Sequence, residues 1–306
     1  MKAVRIHAWG AAPVLEELPD PVARPGRTIV RMQAATVGHI DRSIWGGSFL
    51  RHPPLPYVPG VEAAGVVEHS TRFATGARVW LRGAGLGTTG DGTWCELIDA
   101  PDEALGLLPD GVPMAVGSAF FSPATSAWVA LNEVGQLRAG EKLLVTGATG
   151  AVGSMALQLA RDAGAQACAV LTEEAQRARL PAGTGAVLAA ALQPEAGLLI
   201  DTVGGDGLAQ ALRGLAPGGR AVLVGYTGGT QARLDLPELL QRDIALLPLN
   251  MFRREAAGRA AAPGLLERIA QGRLQIEVTP FPLAQAGAAL AWIARRGHRG
   301  RAVLVA

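Results

Sequence analysis

Two patterns of hydrophobic and polar residues divide the chain. Up to about residue 118, short runs of alternating apolar and polar residues are separated by Pro and Gly, which is typical of half-buried strands bounded by turns. This pattern predicts strands at TIVRMQAATV, AAGVVEH, ARVWLRG and TWCELIDA. Beyond residue 118, apolar strands alternate with amphipathic helical segments, beginning with KLLVTG and AVGSMALQLARDAG. The alternation predicts right-handed crossovers and an α/β domain with a parallel, doubly wound sheet.

The second pattern continues to about residue 272. It predicts further strands at ACAVLT, GLLIDTVGG, GGRAVLVG and DIALLPL, with helices at EEAQRARL and GLAQALRGLA. We expect DIALLPL at an edge of the sheet, where unpaired backbone groups need a partner. The last segment contains a helix and a closing strand that we expect to return to the first domain. The predicted domains are therefore 1–118, completed by 273–306, and 119–272, consistent with roughly 150 residues per domain.

Composition and charge exclude several classes of protein. Hydrophobic residues make up 49% of the chain and charged residues 18%, and no apolar run approaches the roughly 18 residues of a membrane span. The net charge is +2 with scattered basic residues, so nucleic acid is not an expected partner. The first ten residues, MKAVRIHAWG, lack the residue order of an export signal, which predicts a cytoplasmic protein. Cys95 and Cys168 form no CxxC pair and are predicted to be packed thiols.

A glycine-rich turn is predicted between the first strand and the first helix of the second domain. The strand ends at Thr146, the helix starts near Ala151, and the glycines of VTGATGAVG lie in a GxxGxxG frame. Backbone N–H groups of such a turn point toward a bound anion, and the helix dipole favours negative charge there. Any tight turn also needs glycine for steric reasons, but the strand–helix–strand context favours a dinucleotide diphosphate. The residues predicted to hold it are Gly147, Thr149, Gly150, Ala151, Val152 and Gly153.

Several segments extend this interpretation over nearly the whole chain. They read PYVPGVEAAGVV, EKLLVTGATGAVGSMALQLARDAGA, LIDTVGG, LRGLAPGGRAVLVG and HRGRAVLV. Together they resemble the medium-chain dehydrogenase/reductase superfamily, especially its zinc-independent quinone oxidoreductase branch. The resemblance implies a GroES-like catalytic domain, a Rossmann domain and a cleft between them where the nicotinamide meets substrate. It also implies a homodimer, because similar proteins pair the strand corresponding to DIALLPL across a two-fold axis.

The same resemblance bears on zinc. Similar zinc-dependent alcohol dehydrogenases carry a Cys in the segment that here reads TVGHID and a His in the triplet that here reads GVE. Gly38 and Val61 stand at these positions, and neither can bind a metal through its side chain. His39, Asp41 and Glu62 lie nearby as possible ligands, but we expect no zinc site. Without a Lewis acid to stabilise an alkoxide, reduction of a conjugated carbonyl is favoured over alcohol oxidation.

The polar residues around this segment are candidate catalytic groups. Quinone reductases that resemble this chain often have Asn and Tyr at the positions of Gly38 and Ser43, so the sequence departs from the family here. His39, Asp41, Ser43 and Tyr57 are the candidate hydrogen-bond or proton donors. The alternatives for His39 are a structural hydrogen bond or a contact with cofactor ribose. Asp41 is predicted to anchor the loop.

Large aromatic residues mark a possible substrate pocket. Trp45 and Trp128 fall where similar enzymes line the substrate cleft, and either could stack on a flat acceptor. Trp80 and Trp94 are interpreted as packing residues at least as readily. Similar enzymes use a threonine at the position of Thr125 near the nicotinamide, and the alternative is that Thr125 caps the helix SAWVALNEV.

The end of the second strand bears on the choice of cofactor. An NAD enzyme usually has an acid there that binds the ribose 2′-OH, whereas this strand ends at Thr172. Glu173 and Glu174 are interpreted as first-turn acids of the next helix. Similar enzymes have a basic residue directly after such a pair, but this chain has Ala175 there. Arg177 is therefore the candidate ligand of the 2′-phosphate of NADPH. NADPH is therefore favoured over NADH, and the other residues predicted to line the cofactor are Thr202, Val203, Gly225, Tyr226, Leu249 and Asn250.

The sequence supports one main hypothesis and two alternatives. The main hypothesis is a zinc-independent NAD(P)H-dependent oxidoreductase that transfers a hydride to a quinone or another conjugated carbonyl. One alternative is an enoyl-thioester reductase of a biosynthetic pathway. The other is a catalytically inactive NADPH-binding protein with a structural or sensing role. A small-molecule substrate is expected, with no membrane and no nucleic-acid partner.

Overall fold

The chain divides into two compact units. The computed structural model describes residues 1–295 and 297–306. Unit 1 consists of Met1–Phe121 and Ile276–Ala306, and unit 2 is Ser122–Gln275. Each boundary lies three residues beyond the one expected from the sequence.

The secondary structure follows the two patterns in the sequence. The strands are β1 (Lys2–Arg5), β2 (Val14–Glu17), β3 (Arg27–Val37), β4 (Glu62–His69), β5 (Arg78–Arg82), β6 (Leu97–Pro101), β7 (Leu105–Leu107), β8 (Lys142–Val145), β9 (Gln166–Leu171), β10 (Gly185–Leu188), β11 (Ala196–Asp201), β12 (Leu215–Leu223), β13 (Ala245–Pro248), β14 (Val278–Pro282) and β15 (Arg301–Val305). The helices are α1 (His39–Trp45), α2 (Met114–Ala119), α3 (Phe121–Val129), α4 (Ala151–Asp162), α5 (Gly205–Leu212), α6 (Leu236–Gln241), α7 (Glu255–Ala270) and α8 (Ala286–Ala294). Within the described ranges, no helix combines the length and apolar character needed to cross a bilayer.

Unit 1 is built on a mostly antiparallel sheet. Among the described residues this sheet has seven strands, in the order β14-β15-β3-β4-β5-β7 with β6 pairing to β3, and β1 and β2 form a separate two-stranded sheet. The closing strand returns as predicted, because β15 pairs antiparallel with β3, Ala302 lying opposite Val37. Alternate residues of the strands point inward, and Met32, Leu81 and Trp94 are fully buried in the core. An early segment and the last strand of the chain therefore share one sheet.

The strand predicted at TWCELIDA begins later than its pattern suggests. Regular pairing starts only at Leu97. Before it, the backbone N–H of Thr93 donates to Gly60 and that of Trp94 donates to Pro59. Gly60 has a φ of +105°, and a Cβ there would overlap the side chains of Thr93 and Trp94. This close approach takes both residues out of the strand ladder.

Unit 2, which is described throughout, has the predicted parallel sheet. Its strand order is β10-β9-β8-β11-β12-β13, and all five neighbouring pairs are parallel. The order reverses between β8 and β11, which is where ligands bind in doubly wound sheets. DIALLPL forms the edge strand β13, as predicted. The other edge strand, β10, was not predicted, because GAVL is short and follows a turn rather than a helix.

The helix predicted at EEAQRARL is wrong in type. Residues Glu174–Arg179 form a 3-10 helix. The segment lies between the end of β9 and Pro181, and a residue before proline is biased toward extended conformations, as Leu180 is here. Six residues therefore form the whole helix, and 3-10 geometry is typical of such short connecting segments.

Candidate functional site

The glycine turn of unit 2 leaves no room for side chains. Gly147 has a φ of +58°, and a Cβ there would overlap the hydroxyl of Thr202. A Cβ on Gly153 would overlap the carbonyl oxygen of Gly147. The turn is therefore packed tightly against both α4 and the end of β11, and its glycines are sterically required.

The N-terminus of α4 can receive an anion. Its N-cap is Gly150, which has no side chain to cap the helix, and the first intrahelical bond is donated by Ser154 to Gly150 at 2.9 Å. The N–H groups of residues 151–153 precede that bond and have no acceptor in the preceding turn of the helix. Thr149 lies half-buried in the turn itself. The glycines, the N–H groups and the helix dipole together fit a diphosphate.

A buried carboxylate fixes the turn to the neighbouring strand. Asp201, at the end of β11, is 1% exposed and accepts bonds from the Thr146 hydroxyl at 2.5 Å and the Gly204 N–H at 2.9 Å. Thr202 donates its N–H to the Thr146 hydroxyl and its own hydroxyl to the Thr146 carbonyl. Burial raises the pKa of Asp201. Thr146 was not predicted as a site residue, although a hydroxyl at the end of β8, level with an acid at the end of β11, is a signal that could have found it.

The residues after β9, which were predicted to bind the cofactor ribose, form hydrogen bonds with one another. The Gln176 side chain accepts from the Thr172 N–H at 2.9 Å and donates to the Thr172 hydroxyl at 3.0 Å. Arg177 forms an exposed ion pair with Glu174 and a longer bond to the carbonyl of Ala186. The Glu174 hydrogen bond raises the pKa of Arg177, which stays protonated. A cation and a hydroxyl are thus present at the end of β9, where an NAD enzyme would have an acid.

The remaining cofactor candidates follow β11, β12 and β13. Gly225 packs closely against the carboxyl end of β11, since a Cβ on Gly225 would lie 2.6 Å from the carbonyl oxygen of Thr202. The Val203 carbonyl accepts a hydrogen bond from the Gly228 N–H. Tyr226 is 70% exposed. Leu249 continues from β13 with its N–H bonded to Leu223. The Asn250 side-chain oxygen accepts from the N–H groups of Phe252 and Arg253, so it caps the turn that precedes α7.

Thr125 does not cap a helix. It lies in the second turn of α3, which begins at Phe121, and it is fully buried. A Cβ on Gly258 of α7 would lie 3.2 Å from the Thr125 Cβ, so the two helices are in close contact there. Trp128 lies one turn further along α3 and is half-buried, with its carbonyl bonded by Asn132.

Asp41 anchors the predicted loop in unit 1. The residue is 2% exposed, and its carboxylate accepts from the Gly38 N–H at 2.7 Å and the Val61 N–H at 3.1 Å. Burial raises its pKa from 3.8 to about 7; Glu62 adds to this, whereas the Gly38 N–H, Arg82 and Arg301 oppose it. The carboxylate joins the start of α1 to the turn before β4.

Replacing Asp41 with Asn should change how stability depends on pH. Because the pKa is higher in the folded state, the native protein holds a proton that the unfolded chain has lost, so wild-type stability falls from about pH 4 to 7. The free energy of unfolding of D41N, measured with urea, should lack this decrease with pH, which is on the order of 1 kcal/mol per pH unit. D110N, at a 99% exposed carboxylate, should keep the wild-type slope. Identical slopes for all three proteins would contradict the assignment.

A buried ion pair lies beside Asp41. Glu62 is 1% exposed and pairs with Arg301 at 2.9 Å, with Arg82 at 3.9 Å. A Cβ on Gly38 would lie 3.2 Å from the Arg301 guanidinium and 3.4 Å from the Asp41 carboxylate. The two carboxylates are thus occupied by N–H groups and guanidinium groups, and Gly38 and Val61 offer no ligand. This donor set does not fit a catalytic zinc ion.

The other α1 candidates have separate contacts. His39 is exposed at the start of the helix, and its ring centroid lies 6.5 Å from that of His298. Desolvation, followed by the positive charges of His298, Arg42 and Arg301, lowers the pKa of His39. The Ser43 hydroxyl donates to the His39 carbonyl at 3.0 Å, so it bonds within its own helix.

Trp45 and Tyr57 differ in how their polar atoms are satisfied. The half-buried Trp45 donates its indole N–H to the Ala11 carbonyl at 2.6 Å. Tyr57 is 1% exposed, and its hydroxyl has no hydrogen-bond partner among the described residues. Trp80 and Trp94 are packing residues: Trp80 is 5% exposed and Trp94 is fully buried.

Comparisons with known proteins agree with this architecture. Residues 24–110 match the family described as the alcohol dehydrogenase GroES-like domain, and residues 164–304 match the family described as zinc-binding dehydrogenase. A human quinone oxidoreductase is 30% identical over 272 residues, covering 82% of this chain and 80% of that protein. A Pseudomonas aeruginosa quinone oxidoreductase is 29% identical over 99% of both chains. A structure of the Thermus thermophilus quinone oxidoreductase, a protein also solved in complex with NADPH, aligns over 100% of both chains with a TM-score of 0.82 and 30% identity.

Proposed function

The chain belongs to the medium-chain dehydrogenase/reductase superfamily as a quinone oxidoreductase-like oxidoreductase, and we propose that it uses NADPH, without zinc, to reduce a quinone or another conjugated carbonyl. The observation that carries the proposal is the uncapped N-terminus of α4 beside sterically required glycines. That arrangement matches the diphosphate of a dinucleotide. The Thermus relative, which was solved with NADPH, supports the same cofactor.

The cofactor would lie along the carboxyl ends of the unit 2 strands. The turn between β8 and α4 would hold the diphosphate, while Thr172 and Arg177 would meet the adenosine ribose and its 2′-phosphate. Bound reduced nicotinamide supplies a hydride. The residues proposed to flank the nicotinamide end are Thr125, Thr202, Val203, Gly225, Tyr226, Leu249 and Asn250.

Removing the Arg177 cation should affect NADPH more than NADH. We expect R177A to weaken NADPH binding about 10-fold, as one lost charge-assisted contact to the 2′-phosphate would, and to leave NADH binding unchanged. Both dissociation constants can be measured by titrating the coenzyme fluorescence. R213A, which removes another exposed arginine of unit 2, should bind both coenzymes as wild type does. Equal effects of R177A on the two coenzymes would contradict the assignment.

Hydride transfer in this protein is proposed to need no metal. The residues at the positions of the family's zinc ligands are Gly38 and Val61, and the nearby carboxylates are bonded to protein groups. The acceptor would therefore be a conjugated carbonyl, whose developing negative charge a hydrogen-bond donor can stabilise. His39, Ser43 and Tyr57 are the proposed donors, Asp41 is proposed to hold the start of α1 in place, and Trp45 and Trp128 are the proposed aromatic contacts.

The test is NADPH oxidation followed at the coenzyme's absorbance band. Purified protein should oxidise NADPH when given duroquinone or 2-cyclohexen-1-one, and treatment with EDTA should leave the rate unchanged. Elemental analysis should find far less than one zinc per chain. Binding of NADPH without oxidation by any acceptor would favour an inactive binding protein, and activity restored by zinc after EDTA would overturn the metal-free proposal.

A second copy of the chain is the proposed partner of the β13 edge. The edge strand leaves one side of its backbone unpaired within unit 2. Nearby in sequence, Leu236, Leu240 and Phe252 are 63%, 80% and 67% exposed, and these apolar side chains are proposed to contact the second copy. Light scattering should give twice the chain mass of 31.5 kDa. A mass near 31.5 kDa would contradict the homodimer.

A further inference from the structure

One buried hydroxyl in unit 1 is unpaired. Among residues 1–295 and 297–306, the Tyr57 hydroxyl is the one buried side-chain nitrogen or oxygen without a hydrogen-bond partner. A buried polar group left in this state destabilises a protein by about 1–3 kcal/mol, and almost all such groups in folded proteins are paired. Phe would fill the same space without that cost. The presence of Tyr rather than Phe at this position therefore indicates a function for the hydroxyl.

The surroundings of Tyr57 are apolar. Ile6, Ile44 and Val61 form a buried cluster with it, and the half-buried Trp45 packs against the same cluster. Burial, followed by the negative charge of Asp41, raises the pKa of the phenol. The phenol therefore stays protonated at neutral pH and is available as a hydrogen-bond donor.

Two surface side chains cover Tyr57. The Trp9 ring packs on the Tyr57 ring with centroids 5.8 Å apart, and the His52 ring packs on Trp9 at 4.9 Å. Trp9 is 38% exposed and His52 is also exposed. Exposed side chains change rotamer on the nanosecond timescale, so displacement of Trp9 would uncover the face of the Tyr57 ring on which it packs without movement of the sheet.

We propose that Tyr57 is a catalytic residue whose hydroxyl donates a hydrogen bond to the carbonyl oxygen of an uncharged, apolar acceptor, a quinone or a simple enone, that displaces Trp9. This inference rests on the proposed function. Hydride from NADPH forms a new C–H bond in an enone and leaves an enolate, whose negative charge lies mainly on the carbonyl oxygen. A quinone takes the same hydride, whose hydrogen ends on one oxygen as an O–H, and becomes the hydroquinone monoanion with its charge on the other oxygen. The oxygen then takes a proton from water, and NADP⁺ is the oxidised product.

The surroundings define both the role of Tyr57 and the class of acceptor. Tyr57 stabilises the oxyanion by donation and does not give up its proton, because its pKa is raised. Apolar walls and the nearby Asp41 carboxylate disfavour an anionic acceptor at this position. In an acceptor with a carbonyl on an otherwise apolar ring or chain, the carbonyl oxygen accepts the hydrogen bond from the Tyr57 hydroxyl. No polar atom of the bound carbonyl group is then left without a partner.

The Y57F variant tests the proposal by comparing activity with stability. It should lower kcat/KM for duroquinone about 100-fold, the loss typical of an oxyanion donor, and leave the NADPH dissociation constant unchanged. It should also raise Tm by about 2 °C, since an unsatisfied buried hydroxyl is removed. T28V is the matched control: Thr28 is fully buried and its hydroxyl is bonded to Ser70 and Asp102, so this variant should lower Tm and keep the wild-type kcat.

A spectroscopic readout separates this proposal from the proposed function. The chain has two tyrosines, Tyr57 and Tyr226, so the ¹³Cζ-tyrosine spectrum has two signals and Y57F assigns them. Duroquinone added to the NADP⁺-saturated protein should shift the Tyr57 signal in a saturable way. If wild-type protein oxidises no NADPH but this shift occurs, the proposed function and the catalytic role of Tyr57 both fail, and only the binding of a carbonyl compound at Tyr57 stands. If wild-type protein oxidises NADPH but the shift is absent, the proposed function stands and the role of Tyr57 fails. A Tyr57 signal that does not move, a wild-type rate in Y57F, or a Tm that falls together with the rate would each overturn the proposal.

Discussion

Replacing Ala151 with Asp is expected to weaken NADPH binding by about 100-fold or more while leaving the fold intact. Ala151 is the first residue of α4, directly after the uncapped Gly150. An acid in the first turn interacts favourably with the helix dipole, so the free protein should be as stable as wild type or slightly more so. The same carboxylate would occupy the position proposed for the diphosphate, and repulsion between like charges a few ångströms apart accounts for the loss of about 2.7 kcal/mol that corresponds to 100-fold.

The neutral variant A151N is the control for A151D. It adds a side chain of the same shape without the charge, so any loss beyond that of A151N is electrostatic. Added salt should recover part of the A151D loss, because exposed charges are screened. Titration of NADPH fluorescence gives the affinities and thermal unfolding gives the stability. Wild-type affinity in A151D would place the coenzyme elsewhere and would remove the main support for the proposed function.

Replacing Arg301 with Ala is expected to destabilise unit 1 by about 3 kcal/mol or more. The side chains of Arg301 and Glu62 are 11% and 1% exposed, and removing one partner of a buried pair leaves the charge of the other poorly compensated. In R301A, Arg82 remains near Glu62, at the longer distance of 3.9 Å. Asp41 would also lose a nearby positive charge.

R299A is the matched control for this change. Arg299 pairs with Glu277 at 2.5 Å, but both side chains are more than half exposed, and such surface pairs contribute about 0–1 kcal/mol. Urea unfolding of the two variants gives the comparison. Similar losses for R299A and R301A would contradict the assignment of a buried charge pair.

The sequence was sufficient to predict the parallel sheet because its signals are local. The turn between β8 and α4 is marked by glycines that sterics require, and the helix boundary near Ala151 is where the structure places it. The edge position of β13 and the pairing of β15 with β3 were also predicted correctly. By contrast, the type of the short helix after Thr172 depends on the distance to Pro181, which an apolar pattern does not report.

The polar cluster of unit 1 was only partly predictable for a different reason. His39, Asp41 and Ser43 were predicted as candidate catalytic groups because they are polar and close in sequence. The residue that completes the cluster, Arg301, is 239 positions away from Glu62, and no local pattern connects the two. The sequence also could not predict that the Tyr57 hydroxyl lacks a hydrogen-bond partner, because this depends on which residues surround it in three dimensions. The alternative role of Thr125 as a helix cap is wrong because α3 begins at Phe121, five residues before the start that the pattern indicated.

The pairing of β15 with β3 has a consequence for synthesis of the chain. Strand β3 emerges from the ribosome early, but the neighbour on one of its sides is made only when residues 301–305 are translated. Unit 2 is by then complete and can fold first, since domains generally fold as units during synthesis. Until residues 301–305 are available, β3 lacks its neighbour on that side and the Glu62 carboxylate lacks its Arg301 partner. An unpaired strand of this kind can pair with another chain, so partly made chains can associate at this strand.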